Sequence, residues 1–209
     1  MRFVLIVEGS TEQKTIANFL GRWLSPQLSQ NVGFTVVNER GSSNLLRDLE
    51  KRANAHLNEP KQAEIIAIVA LLDLSGAPLR YPGNVTTADQ QYEWAKQHLE
   101  DRVGNQRFRA FFAVHEFEAW LFSHPAIIPS DVQNAVQALS KRPEQINFNR
   151  PPSKRLDEIY RQSLRKTYKK TVDGRGLFSK LDPKVAAQQC PHLDAMLNKM
   201  LLLAQQAGC

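Results

Sequence analysis

The chain has 209 residues, and its apolar share of 42% is sufficient for a globular protein with its own hydrophobic core. Two cysteines cannot form a disulfide framework, and no apolar run approaches the ~20 residues of a membrane helix, which excludes a cystine-rich secreted domain and a membrane protein. The net charge of +6 is uneven, because positions 141–184 hold 13 Lys and Arg against 5 Asp and Glu, whereas the rest holds 14 against 16.

This charge distribution and the cysteine usage indicate a compartment and a partner. No signal peptide is apparent, and we expect a cytoplasmic protein in a reducing environment. A local basic surplus is typical of proteins that bind a polyanion such as nucleic acid. A solvated basic face without a partner would have the same composition.

The chain begins with a strand, a glycine turn and a helix. After Arg2, positions 3–7 form an apolar run typical of a buried parallel strand, and Ser10 with Gln13 predicts a capping box at the helix start. The apolar side chains of this helix repeat every 3.6 residues, which indicates one buried stripe made of Ile16, Phe19, Leu20 and Trp23.

Strands and helices continue to alternate as far as about position 125. Further strands are predicted at 34–37, 65–72 and 108–114. The helices between and after them are predicted around 45–49, from a capping box at Thr87 and Gln90 to about Val103, and over 116–122. Beyond this point the strand signals stop, and helices are predicted near Ser130, near Ser153 and over 193–206.

The alternation predicts an α/β fold with a mostly parallel, four-stranded sheet flanked by helices. We expect residues 1–125 to form this α/β core. Residues 126–209 are expected to form a helical, basic C-terminal part that packs on the core, so that the whole chain is one globular unit.

Acidic residues follow three of the predicted strands. Glu8 comes after the first strand, Asp73 after the third, and Glu116 and Glu118 after the fourth. Because ligands of parallel α/β sheets bind at the carboxyl ends of the strands, these acids should meet at one edge. Clustered carboxylates repel one another, and a hard divalent cation such as Mg²⁺ holds them together. The sequence therefore predicts a metal site.

Each of these residues also has a structural interpretation. A helix dipole would favour Glu8 in a first turn, and Asp73 is a suitable residue for the turn before Gly76. His115 is a candidate ligand or base, but a histidine at a strand end is more commonly only hydrogen-bonded.

The spacing of the acids on helices leaves two further questions open. Residues two apart face different sides of a helix, so only one of Glu116 and Glu118 is expected at the metal unless the turn is irregular. Glu12 shares a face with Glu8 if the helix includes Glu8. If the helix begins only at Ser10, Glu12 is expected to point elsewhere.

Short motifs in order along nearly the whole chain resemble one family. Val-Glu-Gly-Ser-Thr-Glu at 7–12 is similar to the first motif of Toprim domains, and Asp73 falls where that fold carries an Asp-x-Asp motif. The chain is more specifically identified as a member of domain-of-unknown-function family 4276, a group of bacterial Toprim-like proteins. The motifs that carry this resemblance also include Leu-Asp-Leu-Ser-Gly-Ala-Pro at 72–78, Tyr-Pro-Gly at 81–83, His-Glu-Phe-Glu-Ala-Trp-Leu-Phe at 115–122, Pro-Glu-Gln-Ile-Asn at 143–147, Pro-Ser-Lys-Arg at 152–155 and Cys-Pro-His at 190–192.

The resemblance implies a Toprim-type sheet with Mg²⁺ bound by Glu8 and Asp73. It also relates the chain to topoisomerases, primases and nucleases of phage defence. One position departs from the pattern, because Ser75 stands where the second Asp of Asp-x-Asp is expected. A further carboxylate would then have to come from Glu116 or Glu118.

We interpret the chain as a nuclease of DNA or RNA that depends on Mg²⁺ or Mn²⁺, with a role in phage defence or DNA maintenance. Glu8, Asp73 and Glu116 are the predicted metal ligands. Glu118 is a further ligand or a base, and Glu12 is a supporting acid. The residues predicted to bind the phosphate backbone lie in the basic C-terminal part: Lys154, Arg155, Arg161, Arg165, Lys166, Lys169 and Lys170.

Two other functions remain open at this point. A non-catalytic Toprim-like module that binds nucleic acid or protein and works with a partner ATPase is the first alternative, and Ser75 supports it. A phosphotransferase with Asp73 as the nucleophile is the second, although the residues after Asp73 match such a motif only loosely.

Overall fold

A computed structural model describes residues 1–137, 139, 142–145 and 150–209. Two positions of the 143–147 motif, Ile146 and Asn147, lie outside the described residues, as does Lys141 at the start of the basic segment.

The sheet has four strands that all run parallel, in the order β2-β1-β3-β4. Their bounds are β1 Arg2–Val7, β2 Gly33–Asn38, β3 Ile65–Asp73 and β4 Phe108–Ala113. Every residue of β3 is buried, as expected for a central strand covered on both faces. The predicted α/β fold with a four-stranded parallel sheet is confirmed.

Helices cover both faces of the sheet. Their bounds are α1 Ser10–Leu24, α2 Ser42–Leu57, α3 Ala88–Val103, α4 Ala119–Phe122, α5 Ser130–Gln137, α6 Pro152–Leu164, α7 Arg175–Lys180, α8 Pro183–Gln189 and α9 Pro191–Gln206. A single turn of π-helix, Lys170–Gly174, precedes α7. None of the helices within the described residues combines the length and apolarity needed to cross a bilayer.

Alternate residues of β1 belong to two separate cores. Phe3, Leu5 and Val7 pack with α1 and with the helices that follow position 125. Val4 and Ile6 pack on the opposite face with α2 and α3. Because side chains alternate across a strand, one apolar run supplies both cores. The C-terminal helices thus share a continuous core with α1 and the sheet.

The two predicted capping boxes had different outcomes. Thr87 and Gln90 form the reciprocal capping box at α3, as predicted. The box at Ser10 was wrong, because Ser10 is already the first residue of α1 and Gly9 occupies the cap position without a side-chain hydrogen bond. The helix predicted over 116–122 begins only at Ala119, after an irregular turn.

Candidate metal centre

Glu8 and Asp73 lie together at the carboxyl edge of the sheet. They follow β1 and terminate β3, which are adjacent strands with Val7 opposite Leu71. A carboxylate oxygen of Glu8, Oε1, accepts a hydrogen bond of 3.1 Å from the backbone N–H of Asp73. Their predicted convergence on one edge is confirmed.

The loop after β4 fixes the Asp73 carboxylate. Its Oδ1 accepts a hydrogen bond of 2.7 Å from the backbone N–H of Phe117. The residue is only 8% exposed, and burial raises the pKa of Asp73 well above its usual range, with opposition from Lys170 and reinforcement from Glu8. Burial also raises the pKa of Glu8. Both shifts indicate carboxylates that lack sufficient compensating positive charge.

Glu118, and not Glu116, faces this edge. Its side chain is fully buried beside Lys170, and burial raises its pKa to about 7 despite that partner. Glu116 instead accepts a hydrogen bond of 2.8 Å from the backbone N–H of Ser153 in the first turn of α6. That helix start attracts the carboxylate through its unsatisfied N–H groups. We therefore replace Glu116 by Glu118 as the third candidate ligand.

Glu12 also belongs to the cluster, although α1 begins at Ser10. The expectation that such a first-turn acid points elsewhere was wrong, since Glu12 is 3% exposed and its carboxylate folds back over Gly9. A Cβ atom at Gly9 would clash with Oε2 of Glu12. The absence of a side chain at Gly9 is what leaves room for the Glu12 carboxylate.

Lys170 is the cation among these acids. Its Nζ lies 2.9 Å from Oε2 of Glu118, 3.5 Å from Oδ2 of Asp73 and 3.8 Å from Oε1 of Glu12. The sequence predicts a phosphate-binding role for Lys170, since no local pattern separates it from its neighbour Lys169. Only the folded chain brings it to the carboxylates.

The other predicted nucleic-acid residues lie on the surface. Arg155 pairs with Glu158 at 3.3 Å, Arg161 with Asp157 at 2.8 Å and Lys166 with Asp173 at 3.4 Å. Ion pairs of this kind near the surface contribute little to stability. Three further side chains of the group are exposed: Lys154, Arg165 and Lys169.

Ser75 and His115 connect two loops at this edge. The hydroxyl of Ser75 donates a hydrogen bond of 2.9 Å to the backbone oxygen of His115, and the backbone N–H of Ser75 donates to the same oxygen at 3.0 Å. The His115 side chain is buried, and burial lowers its pKa. Ser75 therefore joins the loops after β3 and β4, and Glu118 brings a further carboxylate to the same edge.

The carboxylate oxygens of the cluster are suitable ligands for a hard divalent cation, but their present spacing is not that of a metal site. Among the residues described, no three acidic, His or Cys side chains are arranged to hold a metal ion. Lys170 occupies the space between the acids. Oε1 of Glu118 and Oε2 of Glu12 are buried and accept no hydrogen bond from the described residues, and Oε2 of Glu118 has the Lys170 ammonium beside it. Carboxylate oxygens in that condition are the donors that Mg²⁺ and Mn²⁺ prefer.

The parallel sheet and the acids after β1 and β3 define a Toprim-like α/β protein. The chain belongs to the family Domain of unknown function (DUF4276), whose model matches residues 7–201. None of the curated proteins matches it.

Two solved structures, each of the C-terminal region of an OLD protein, are similar to this chain. That of Burkholderia pseudomallei is 16% identical with a TM-score of 0.46, covering 99% of this chain and 98% of the other. That of Xanthomonas campestris pv. campestris is 16% identical with a TM-score of 0.44, covering 98% and 96%.

Proposed function

We propose that this protein is a metal-dependent nuclease that hydrolyses phosphodiester bonds of DNA or RNA. The observation that carries the proposal is the convergence of four carboxylates, from Glu8, Glu12, Asp73 and Glu118, at the carboxyl edge of a parallel sheet. Structural ion pairs seldom require three buried acids for one lysine, because each buried carboxylate without compensation is costly.

The residues have separable roles in this proposal. Glu8, Asp73 and Glu118 would hold Mg²⁺ or Mn²⁺, and Glu12 would support them. A bound ion of this kind lowers the pKa of water and stabilises charge on a phosphoryl oxygen. The N–H of Phe117 restrains the carboxylate of Asp73, and the N–H of Asp73 restrains that of Glu8.

The test is cleavage of single- and double-stranded DNA and RNA by the purified protein. We expect cleavage with Mg²⁺ or Mn²⁺ and none with EDTA. Addition of excess Mg²⁺ to the EDTA sample should restore it. Cleavage that persists in EDTA would contradict the proposal.

The basic C-terminal part should bind the phosphate backbone without reading bases. Charge reversal at Arg165 and Lys169, both exposed, is expected to weaken DNA binding equally for unrelated sequences. Each lost phosphate contact should reduce the slope of log affinity against log salt by about 0.7–0.9, because fewer counterions are released. Fluorescence anisotropy at salt concentrations from about 50 to about 200 mM measures this slope.

Lys51→Glu is the matched control for charge reversal, since Lys51 is exposed on α2 at the opposite face of the sheet. It should leave the slope unchanged. An equal loss of affinity in the control would mean that only the net charge of the protein matters.

One observation favours a second candidate function. Because Lys170 already neutralises part of the cluster, a non-catalytic Toprim-like module that acts with a partner ATPase is compatible with this geometry. A protein that binds nucleic acid but neither cleaves it nor binds Mn²⁺ would support that module.

A further inference from the structure

Lys170 reaches the carboxylates from the rim of the cluster. Its side chain retains 37% of its exposure, whereas those of Glu118 and Glu12 retain 0% and 4%. The acids belong to α1 and to the loop before α4, which are packed into the core. The lysine can therefore leave towards solvent, while the acids cannot follow it.

The backbone that carries Lys170 is an irregular segment. Lys170 opens the single π-turn Lys170–Gly174, a conformation that is rare and concentrates at functional sites. Its carbonyl oxygen accepts a long hydrogen bond, 3.4 Å, from the hydroxyl of Thr11. Within the segment, Asp173 accepts a hydrogen bond of 2.8 Å from the backbone N–H of Lys169. The segment packs beside α1 and α7, and the ammonium group of Lys170 is its contact with the carboxylates.

The charges indicate that one ammonium group is an incomplete partner for this cluster. Three buried carboxylates lie within 3.8 Å of the single Lys170 ammonium, Glu8 lies beside Asp73, and Oε1 of Glu118 accepts no hydrogen bond from the described chain. A divalent ion carries twice the charge and accepts several oxygen ligands at once. The same oxygens cannot bind the ammonium and the ion closely at the same time.

We propose that Lys170 is a built-in competitor of the metal ion, so that cation binding requires the Lys170–Gly174 segment to undock from the carboxylates. This inference rests on the proposed function, because it assumes that the cluster binds a divalent cation. The docked lysine keeps the apo site stable and closed. The measured metal affinity is then the intrinsic affinity multiplied by the fraction of molecules in which Lys170 is undocked.

The first measurement is Mn²⁺ affinity by isothermal titration calorimetry for the wild type and Lys170→Met. Methionine keeps the length of the side chain and removes its charge. We expect Lys170→Met to bind Mn²⁺ about tenfold more tightly or better, a ratio that reports an undocked fraction of about one tenth or less in the wild type. Lys180→Met, at an exposed position at the end of α7, should bind like the wild type.

The second measurement uses only the wild-type protein and does not depend on the folding of a variant. Hydrogen exchange of the 168–176 backbone should accelerate when Mn²⁺ is added and return to its initial rate with EDTA. Tighter Mn²⁺ binding by Lys170→Met without faster exchange in the wild type would overturn the proposal, because a lysine that stays in place also lowers the cation affinity by repulsion. The proposal is also overturned if the wild type binds Mn²⁺ but Lys170→Met binds it no more tightly and exchange of the 168–176 backbone does not accelerate. That outcome would leave the metal site itself intact. Absence of Mn²⁺ binding in both proteins would reject this inference and the proposed function together.

Discussion

Glu8→Gln and Asp73→Asn are each expected to reduce metal-dependent cleavage by about a thousandfold, because loss of a charged ligand removes several kcal/mol of transition-state stabilisation. Both variants should remain folded. Gln keeps an oxygen that can accept from the N–H of Asp73, and Asn keeps one for the N–H of Phe117. Removing one negative charge also relieves repulsion in the metal-free cluster.

The matched control for these variants is Glu116→Gln. Glu116 lies two residues from Glu118 but accepts from the backbone of Ser153, so its charge is not needed at the cluster. We expect Glu116→Gln to retain most of the activity and Glu118→Gln to lose most of it, measured as single-turnover cleavage at saturating Mg²⁺. Equal activity in all four variants and the wild type would remove the carboxylates from the mechanism.

Trp120→Ala is expected to lower the free energy of unfolding by about 3–5 kcal/mol, the usual cost of removing a large buried aromatic side chain. Trp120 is 1% exposed in α4 and stacks on Phe19 of α1, with ring centroids 5.8 Å apart. It also meets the edge of the Phe117 ring at 4.7 Å. Since Phe117 positions Asp73, the substitution should weaken metal binding as well as stability.

Urea unfolding followed by circular dichroism measures this loss, with Trp94→Ala as the control. Trp94 is only half-buried on α3, where it packs on Tyr81 and His98 near the surface. Its removal should cost clearly less than that of Trp120. Equal losses would show that the contact between α1 and α4 has no special part in holding the fold.

The strands and two of the acids were predictable because their signals are local. A parallel strand buried on both faces requires an apolar run, and such runs identify β1 and β3 directly. The residue after a strand then lies at the carboxyl edge by geometry alone, which placed Glu8 and Asp73. The same local reasoning placed the cap of α1 at Ser10, one residue too late. The cap is Gly9, and the Glu12 carboxylate that packs over Gly9 is not visible in the local pattern.

The amino-acid sequence by itself determined the parallel sheet, the edge that carries the site and the residue types available to bind a cation. Only the tertiary structure decided which of Glu116 and Glu118 turns inward, because the start of α6 attracts Glu116. It also decided that the ammonium group of Lys170 contacts the buried carboxylates, unlike its basic neighbours at the surface. The physical reason is that such choices depend on burial and on partners distant in the chain, which no local periodicity records.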